Sequence, residues 1–242
     1  MEPPQQHEFG EAVGIVLVGQ IHMPNLAPSK KWERRSDARP AELVAAALRC
    51  FAERGFAATR LEDVAASAGV SKATVYLYFE NKERLFEAVV RTAVTPTLDH
   101  ADAVVEAYEG ATPDLVRTLL GIMDAALDSQ FPAIAKLVIA ESGNFPELAR
   151  LWADVVLRRG LALVRRIIAR GIERGEFRAV DPATAAQLIM APVVMLAIWK
   201  HSFGQHTDMQ IDHKAMLAEH AETILRGLAA PEPVRPRRRR QR

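Results

Sequence analysis

Apolar residues recur every three to four positions along most of the chain after Arg39, which is the spacing of an amphipathic helix. The pattern predicts helices over residues 40–55, 59–67, 72–78, from Asn81 onward, and at about 97–108, 113–129, 132–142, 146–175, 181–204 and 212–228. No alternating strand pattern of useful length appears. The sequence therefore predicts an all-α fold, with a three-helix N-terminal domain and a larger helical C-terminal domain.

Local signals mark the ends of the short helices. Residues 59–62 have the T-x-x-E form of a capping box, and Ser71 is a favourable N-cap. Gly69 supplies the left-handed conformation that a tight helix stop prefers. Two short helices joined by a tight glycine turn predict a helix-turn-helix, the layout with which many proteins bind the DNA major groove.

The net charge of +1 conceals an uneven distribution of charge. Residues 1–28 carry −3, residues 29–91 carry +3, residues 92–230 carry −4 and residues 231–242 carry +5. A basic module and a basic tail on an acidic body are typical of a nucleic-acid-binding protein. The single cysteine excludes a disulfide within the chain.

The composition predicts four regions. They are a disordered extension at 1–38, a DNA-binding domain at 39–86, a ligand-binding and dimerisation domain at 87–230, and a disordered basic tail at 231–242. Met23 is an alternative start, in which case residues 1–22 would not occur in the native protein. The apolar run at 12–18 is too short to span a membrane, and acidic residues precede it. We therefore expect a cytoplasmic protein with no membrane partner.

The segment around residues 40–90 resembles the DNA-binding domain of the TetR family of transcriptional regulators. The resemblance is carried, in one order and spacing, by FAERGFAAT at 51–59, VA at 64–65, AGVSKATVYLYF at 68–79 and NKE at 81–83. It implies a homodimeric repressor whose third helix enters the major groove of double-stranded operator DNA. It also implies a C-terminal body that binds a small effector, which releases the DNA.

The resemblance also assigns the residues that contact DNA. The set is Arg60, Ser71, Lys72, Ala73, Thr74, Tyr76, Tyr78 and Lys82. Lys72, Ala73 and Thr74 begin the recognition helix, and Lys82 is expected to meet a phosphate at the start of the fourth helix. Alternatives remain open: Tyr76 could pack under the turn, and Lys72 and Lys82 could be solvated surface charges. Val75 and Leu77 are predicted to be packing residues.

The helices at 146–175 and 182–203 are apolar on nearly every side, which indicates burial on more than one side. We expect them to form the homodimer interface. A small apolar or amphipathic effector is expected inside the body. Its candidate contacts are Met123, Leu127, Phe131, Leu137, Glu141, Phe145, Trp152, Val155, Met190 and Met195. Glu141 either recognises a polar group of the effector or faces solvent.

Other chemistry has little support in the sequence. His201, His206 and His213 lack the spacing of a compact metal site, and no nucleophile motif or phosphate-binding glycine loop appears. We therefore expect no catalytic residues, metal or cofactor. Two alternative functions remain: a ligand-binding or enzymatic helical protein with a vestigial helix-turn-helix, and an architectural nucleic-acid binder that uses the arginine run at 237–240.

Deleting residues 231–242 separates the regulator from the architectural binder. We expect sequence-specific operator binding to survive the deletion, because base recognition is assigned to residues 60–82. The measurement is an electrophoretic mobility shift with the protein's own upstream DNA and with unrelated DNA. Loss of all binding on deletion would instead support the architectural function.

Overall fold

The computed structural model describes residues 33–231, with side chains from Arg39 onward. Its α-helices are α1 (Glu33–Ala58), α2 (Leu61–Ser67), α3 (Lys72–Tyr78), α4 (Lys82–Ala107), α5 (Thr112–Leu127), α6 (Phe131–Glu141), α7 (Pro146–Trp152), α8 (Arg158–Glu173), α9 (Pro182–His201) and α10 (His213–Leu228). A π-helical turn, Ala153–Leu157, joins α7 to α8, and a 3-10 turn, Phe203–Gln205, follows α9. The only strand pairing in the described residues is an isolated bridge between Phe177 and Ala229. The all-α prediction is confirmed.

Helix α3 has the predicted bounds, because the residues that begin and end it act on their immediate neighbours in the chain. Ser71 caps α3 by accepting a hydrogen bond from the Thr74 amide, and Gly69 has a left-handed φ of +66°. The capping box predicted at Thr59 is wrong, because the N-cap of α2 is the next residue, Arg60. The Asp63 carboxylate accepts a hydrogen bond from the Arg60 amide at 2.9 Å. The Thr59 hydroxyl instead lies 2.7 Å from the Gly55 carbonyl oxygen.

Two helices are longer than predicted. The start of α1 at Glu33 precedes the predicted helix start at Pro40, so residues 33–38 are helical rather than disordered. The predicted break near residue 97 is also wrong, because α4 continues through Pro96. Proline removes one backbone hydrogen bond there, but Val94 and Leu98 on either side are buried, and their packing holds the helix together.

The predicted helix at 146–175 is confirmed as a nearly continuous rod made of α7, the π turn and α8. The backbone stays in the right-handed helical region through both junctions, at Trp152 and at Arg158. A π turn inserts an extra residue into the helix and shifts the faces on either side of it. The shift allows α7 and α8 to present their apolar faces to different neighbours.

Two hydrophobic clusters fill the unit that begins at Ala38. The first joins α1–α3 and the first half of α4 to α6 and α7. The second joins the end of α4 to α5, α8, α9 and α10. The helices of the predicted DNA-binding domain therefore share their core with part of the body. The domain boundary predicted at residues 86–87 falls inside α4, between Phe86 and the buried Val89.

One helical segment in the described part of the chain, from Pro182 to Gln205, is long enough and apolar enough to cross a membrane, judged by length and composition only. Its inward face packs against α6 and α8 through buried residues such as Ile189, Val193 and Leu196. Its outward face remains apolar and exposed. Such a face on a helix of a packed bundle also suits an interface between protein subunits.

Some predictions lie outside the described residues. They concern the extension up to residue 32, the alternative start at Met23 and the basic tail from residue 232.

Candidate DNA-binding surface and ligand cavity

The exposed face of α3 is formed by Ala73, Tyr76 and Leu77, which lie at helical spacing i, i+3 and i+4. Val75 is fully buried as predicted, but Leu77 is 78 % exposed, so its prediction as a packing residue is wrong. The shared spacing with Ala73 and Tyr76 was the signal that could have identified it. An exposed leucine on this face suits apolar contact with a thymine methyl group.

Lys72 and Tyr76 form a preassembled polar patch at the start of α3. The Lys72 ammonium pairs with Glu62 on α2 and lies 5.6 Å from the centre of the Tyr76 ring. The hydrogen bond with Lys72 lowers the pKa of Glu62, and the same contact raises the pKa of Lys72. Lys72 therefore stays charged over the physiological pH range, and Tyr76 is 47 % exposed rather than packed under the turn.

The other predicted residues of α2 and α3 have different surroundings. The hydroxyls of Ser71 and Thr74 are hydrogen-bonded to each other at 2.9 Å, which fixes both at the N-terminus of α3. The Arg60 side chain is exposed at the start of α2, whereas Tyr78 is half-buried against the first cluster. The surface thus presents Arg60, Ser71 and the exposed residues of α3 together, with Tyr78 beneath them.

Lys82 is held within the protein instead of projecting into solvent. Its ammonium donates to the carbonyl oxygens of Phe56 at 2.7 Å and Ala57 at 3.2 Å, at the end of α1. The same group lies 4.4 Å from the centre of the Phe56 ring and 5.8 Å from that of Phe145. These contacts make Lys82 a link between α1, α4 and the segment before α7. These two bonds use two of the three N–H donors of the ammonium, so a phosphate contact would have to use the third.

A cavity of about 260 Å³ lies between α4, α5, α6, α8 and α9. Apolar side chains form nearly all of its wall, and no charged residue lines it. The lining includes Val94, Leu98, Met123, Phe131, Ala135, Trp152, Leu161, Met190 and Val194, with Thr97 and Gln187 as polar members. Such a wall suits a ligand made mostly of hydrocarbon.

Four of the ten predicted effector contacts line this cavity, namely Met123, Phe131, Trp152 and Met190. The other six lie elsewhere. Leu137, Phe145 and Val155 pack against the first cluster, and Met195 is exposed on the outward face of α9. Leu127 lines a second cavity of about 180 Å³ beside Lys200 and His213.

Glu141 also differs from its predicted environment. It does not line the cavity, and its side chain is half-buried instead of facing solvent. One of its carboxylate oxygens accepts a hydrogen bond from the Ala57 amide, at the end of α1, over 3.1 Å. Glu141 therefore joins the end of α6 to the end of α1. Sequence periodicity carries no information about such a pair, because the two residues are separated by 84 positions.

No group of three or more His, Cys, Asp or Glu side chains within the described residues is arranged to hold a metal ion. His213 lies 3.5 Å from an Asp124 oxygen and 4.0 Å from an Asp128 oxygen, while Lys200 forms a closer ion pair with Asp128. His213 is thus part of a polar network beside the second cavity.

Comparison with protein-family models decides the family. Residues 43–89 match the model described as bacterial regulatory proteins of the tetR family, and residues 113–227 match the C-terminal domain of AefR-like transcriptional repressors. The chain belongs to the TetR family of transcriptional regulators. This TetR-family chain is accordingly a helix-turn-helix DNA-binding regulator, and the family is one of regulators rather than enzymes.

Curated relatives agree with this assignment. The chain is 28 % identical over 169 residues to the transcriptional regulator EthR of Mycolicibacterium smegmatis, covering 67 % of this chain and 76 % of EthR. It is also 28 % identical over 165 residues to the uncharacterised regulator YfiR of Bacillus subtilis, covering 66 % and 79 % of the two chains.

Solved structures share the fold. A TetR-family structure from Mesorhizobium loti has a TM-score of 0.62 at 26 % identity, covering 80 % of this chain and 96 % of that one. The structure of Bacillus subtilis FadR in complex with stearoyl-CoA has a TM-score of 0.66 at 19 % identity, covering 78 % and 98 %. At 19 % identity, the similarity to FadR supports the fold alone.

Replacing Lys82 with alanine tests its structural role. We expect the free energy of unfolding to fall by about 1–3 kcal/mol, because two carbonyl oxygens at the end of α1 lose a charged donor. Urea denaturation followed by circular dichroism measures the change. Lys72→Ala is the matched control: it removes an exposed lysine and should alter base preference without this loss of stability.

DNA binding by the same variant tests the predicted phosphate contact. If the Lys82 ammonium turns to a phosphate in the complex, the slope of log affinity against log salt concentration falls by about one in Lys82→Ala. An unchanged unfolding free energy in Lys82→Ala would contradict the structural role assigned above.

Proposed function

We propose that this regulator is a repressor that binds operator DNA as a homodimer through α3 and releases the DNA when an apolar ligand fills the cavity. The observation that carries the proposal is an uncharged cavity in the body of a helix-turn-helix protein, with walls contributed by α4 and α6. Both helices also belong to the cluster that holds the DNA-binding helices. A ligand in the cavity is therefore in contact with elements that position α3.

The DNA-binding surface would use two kinds of contact. Lys72, Ala73, Tyr76 and Leu77 face outward on α3 and are proposed to meet base edges in the major groove. The remaining predicted residues are proposed to position the helix on the phosphate backbone, and these are Arg60, Ser71, Thr74, Tyr78 and Lys82. Because the partner is the cell's DNA, we propose a cytoplasmic site of action.

The ligand is proposed to be a hydrocarbon-rich molecule with few polar groups. The side chains of the cavity wall that form ordinary hydrogen bonds are those of Thr97, Gln187 and the Trp152 indole. A charged group buried there would lose its hydration without gaining a charged partner, so the carboxylate of a fatty acid would have to stay at the solvent-exposed part of the wall, which is formed by Ile139, Leu157 and Val194. The complex of FadR with stearoyl-CoA makes acyl chains the first compounds to test.

The homodimer is proposed to form through α8 and α9, and the apolar part of this surface belongs to α9. Arg158, Arg165 and Arg166 are exposed on α8, so the prediction that this helix is apolar on nearly every side is wrong. No charged residue occurs in α9 before Lys200, and Leu188 and Met195 are exposed along it. A stable interface buries about 800 Å² on each partner, with an apolar centre. A second copy of the chain presents the same apolar face, so a two-fold pairing would cover both.

Filling the cavity tests the proposed ligand site. A Cβ atom added at Gly160, which lines the cavity, would have no heavy atom within 4 Å, so Gly160→Leu places its side chain in open space. We expect this variant to fold, to bind its upstream operator and to lose binding of dodecanoic acid, measured by isothermal titration calorimetry. Gly121→Leu, at an exposed position on α5 that is equally open, is the control and should bind dodecanoic acid as the parent protein does.

The outcome has a clear negative form. If Gly160→Leu binds dodecanoic acid as tightly as the parent protein, the cavity is not the ligand site. If the parent protein shows no preference for its upstream DNA over unrelated DNA, the proposed operator binding is wrong.

A charge on the outward face of α9 tests the proposed dimer. Leu188 is 60 % exposed, so Leu188→Arg should leave the fold intact while placing two arginines at a two-fold interface. We expect sedimentation velocity to show a shift from dimer to monomer and the affinity for operator DNA to fall. Met209→Arg, at an exposed apolar residue in the loop before α10, should remain a dimer. A monomeric parent protein would contradict the proposal directly.

A further inference from the structure

Glu141 is the last residue of α6, and its carboxylate reaches the end of α1. The Ala57 amide donates to Glu141 Oε1 over 3.1 Å. This amide lies just beyond Gly55, where a φ of +81° and a ψ of 169° interrupt the helical backbone of α1. Backbone amides that follow such a break lack their regular helical acceptors. Glu141 supplies an acceptor from the body of the protein.

Gly55 leaves room for this contact. A Cβ atom at residue 55 would lie 2.9 Å from Glu141 Oε1, and the positive φ is itself unfavourable for any other residue. The kink in α1 and the approach of Glu141 therefore depend on the same glycine. Thr59 also holds the kink, because its hydroxyl donates a hydrogen bond to the Gly55 carbonyl oxygen at 2.7 Å.

The helix that carries Glu141 also forms part of the cavity wall. Phe131, Ala135 and Ile139 line the cavity at positions i, i+4 and i+8 of α6. The helix has 11 residues and is thus about 16 Å long. A stiff rod of this length that is displaced by a ligand moves the Glu141 carboxylate with it. No flexible segment intervenes between the cavity wall and the hydrogen bond to Ala57.

We propose that Glu141 is a positioning residue that fixes the DNA-binding helices relative to the ligand cavity through its hydrogen bond to the Ala57 amide. This inference rests on the proposed ligand-controlled repression, and it assigns the transmission of that control to one side chain. Glu141 acts on DNA affinity through α1, since α1 packs with α2 and α3 in the first cluster. It touches neither the cavity nor the exposed face of α3.

Three variants test the proposal in the full-length protein. Glu141→Ala removes the acceptor, Glu141→Gln keeps an amide oxygen that can accept from Ala57, and Glu147→Ala removes an exposed glutamate from α7 as the control. Four quantities are measured for each: the operator Kd without ligand, the operator Kd with saturating dodecanoic acid, the Kd for dodecanoic acid, and hydrogen exchange at the Ala57 amide.

We expect Glu141→Ala to raise the ligand-free operator Kd about tenfold, since a hydrogen bond to a charged acceptor is lost. Its Kd for dodecanoic acid should stay within about twofold of the parent value, but the ratio of operator Kd with and without ligand should fall towards one. Exchange at Ala57 should accelerate. Glu141→Gln should bring the operator Kd, the ligand response and the exchange at Ala57 most of the way back to the parent values. Glu147→Ala should resemble the parent protein in all of them.

The proposal is overturned if Glu141→Ala keeps the parent values of both operator affinity and ligand response, or if Glu141→Gln loses as much as Glu141→Ala. A parent protein that does not respond to dodecanoic acid contradicts the proposed ligand class and not this inference. In that case the ligand-free operator Kd and the exchange at Ala57 still decide the role of Glu141.

Discussion

The packing of Lys82 and three aromatic rings around Phe56 is the constraint on which the rest of the structure depends. The Phe56 ring lies 5.5 Å from the rings of Phe51 and Phe86 and 4.9 Å from that of Phe145, measured between centroids. Lys82 covers the same ring and binds the carbonyl groups that end α1. Close-packed interiors transmit displacement because they contain little free space. The DNA-binding helices are therefore anchored in the body.

Local signals could be read from the sequence, and tertiary contacts could not. The bounds of α3 follow from the Ser71 cap and the Gly69 turn, which act within a few residues. The continuation of α4 through Pro96 depends on packing to either side, which outweighs the missing backbone hydrogen bond. The Lys82 contacts with α1 and the Glu141 contact with Ala57 join residues far apart in the chain.

The residues that line the ligand cavity were also difficult to predict from the sequence, because they depend on tertiary contacts. Periodicity identifies which residues of a helix are buried, but it does not tell which of two hydrophobic clusters receives them. Leu137 and Phe145 were predicted beside the ligand and instead support the first cluster, whereas Met123 and Met190 belong to the second. The cavity lies where the two clusters meet, with Val94 from the first and Met123 from the second in its wall. Sequence patterns alone cannot locate such a junction.

The position of the cavity between the two clusters also determines which ligands can change the affinity for DNA. A ligand changes DNA affinity only as far as it binds two arrangements of the protein with different free energies. A molecule that contacts both clusters can sense their separation, because α6 carries one wall of the cavity and ends at the Glu141 contact with α1. A molecule that contacts only the α5 and α9 wall gains the same contacts in either arrangement. Binding and release of DNA are therefore separable properties in this protein, and contact with α6 connects them.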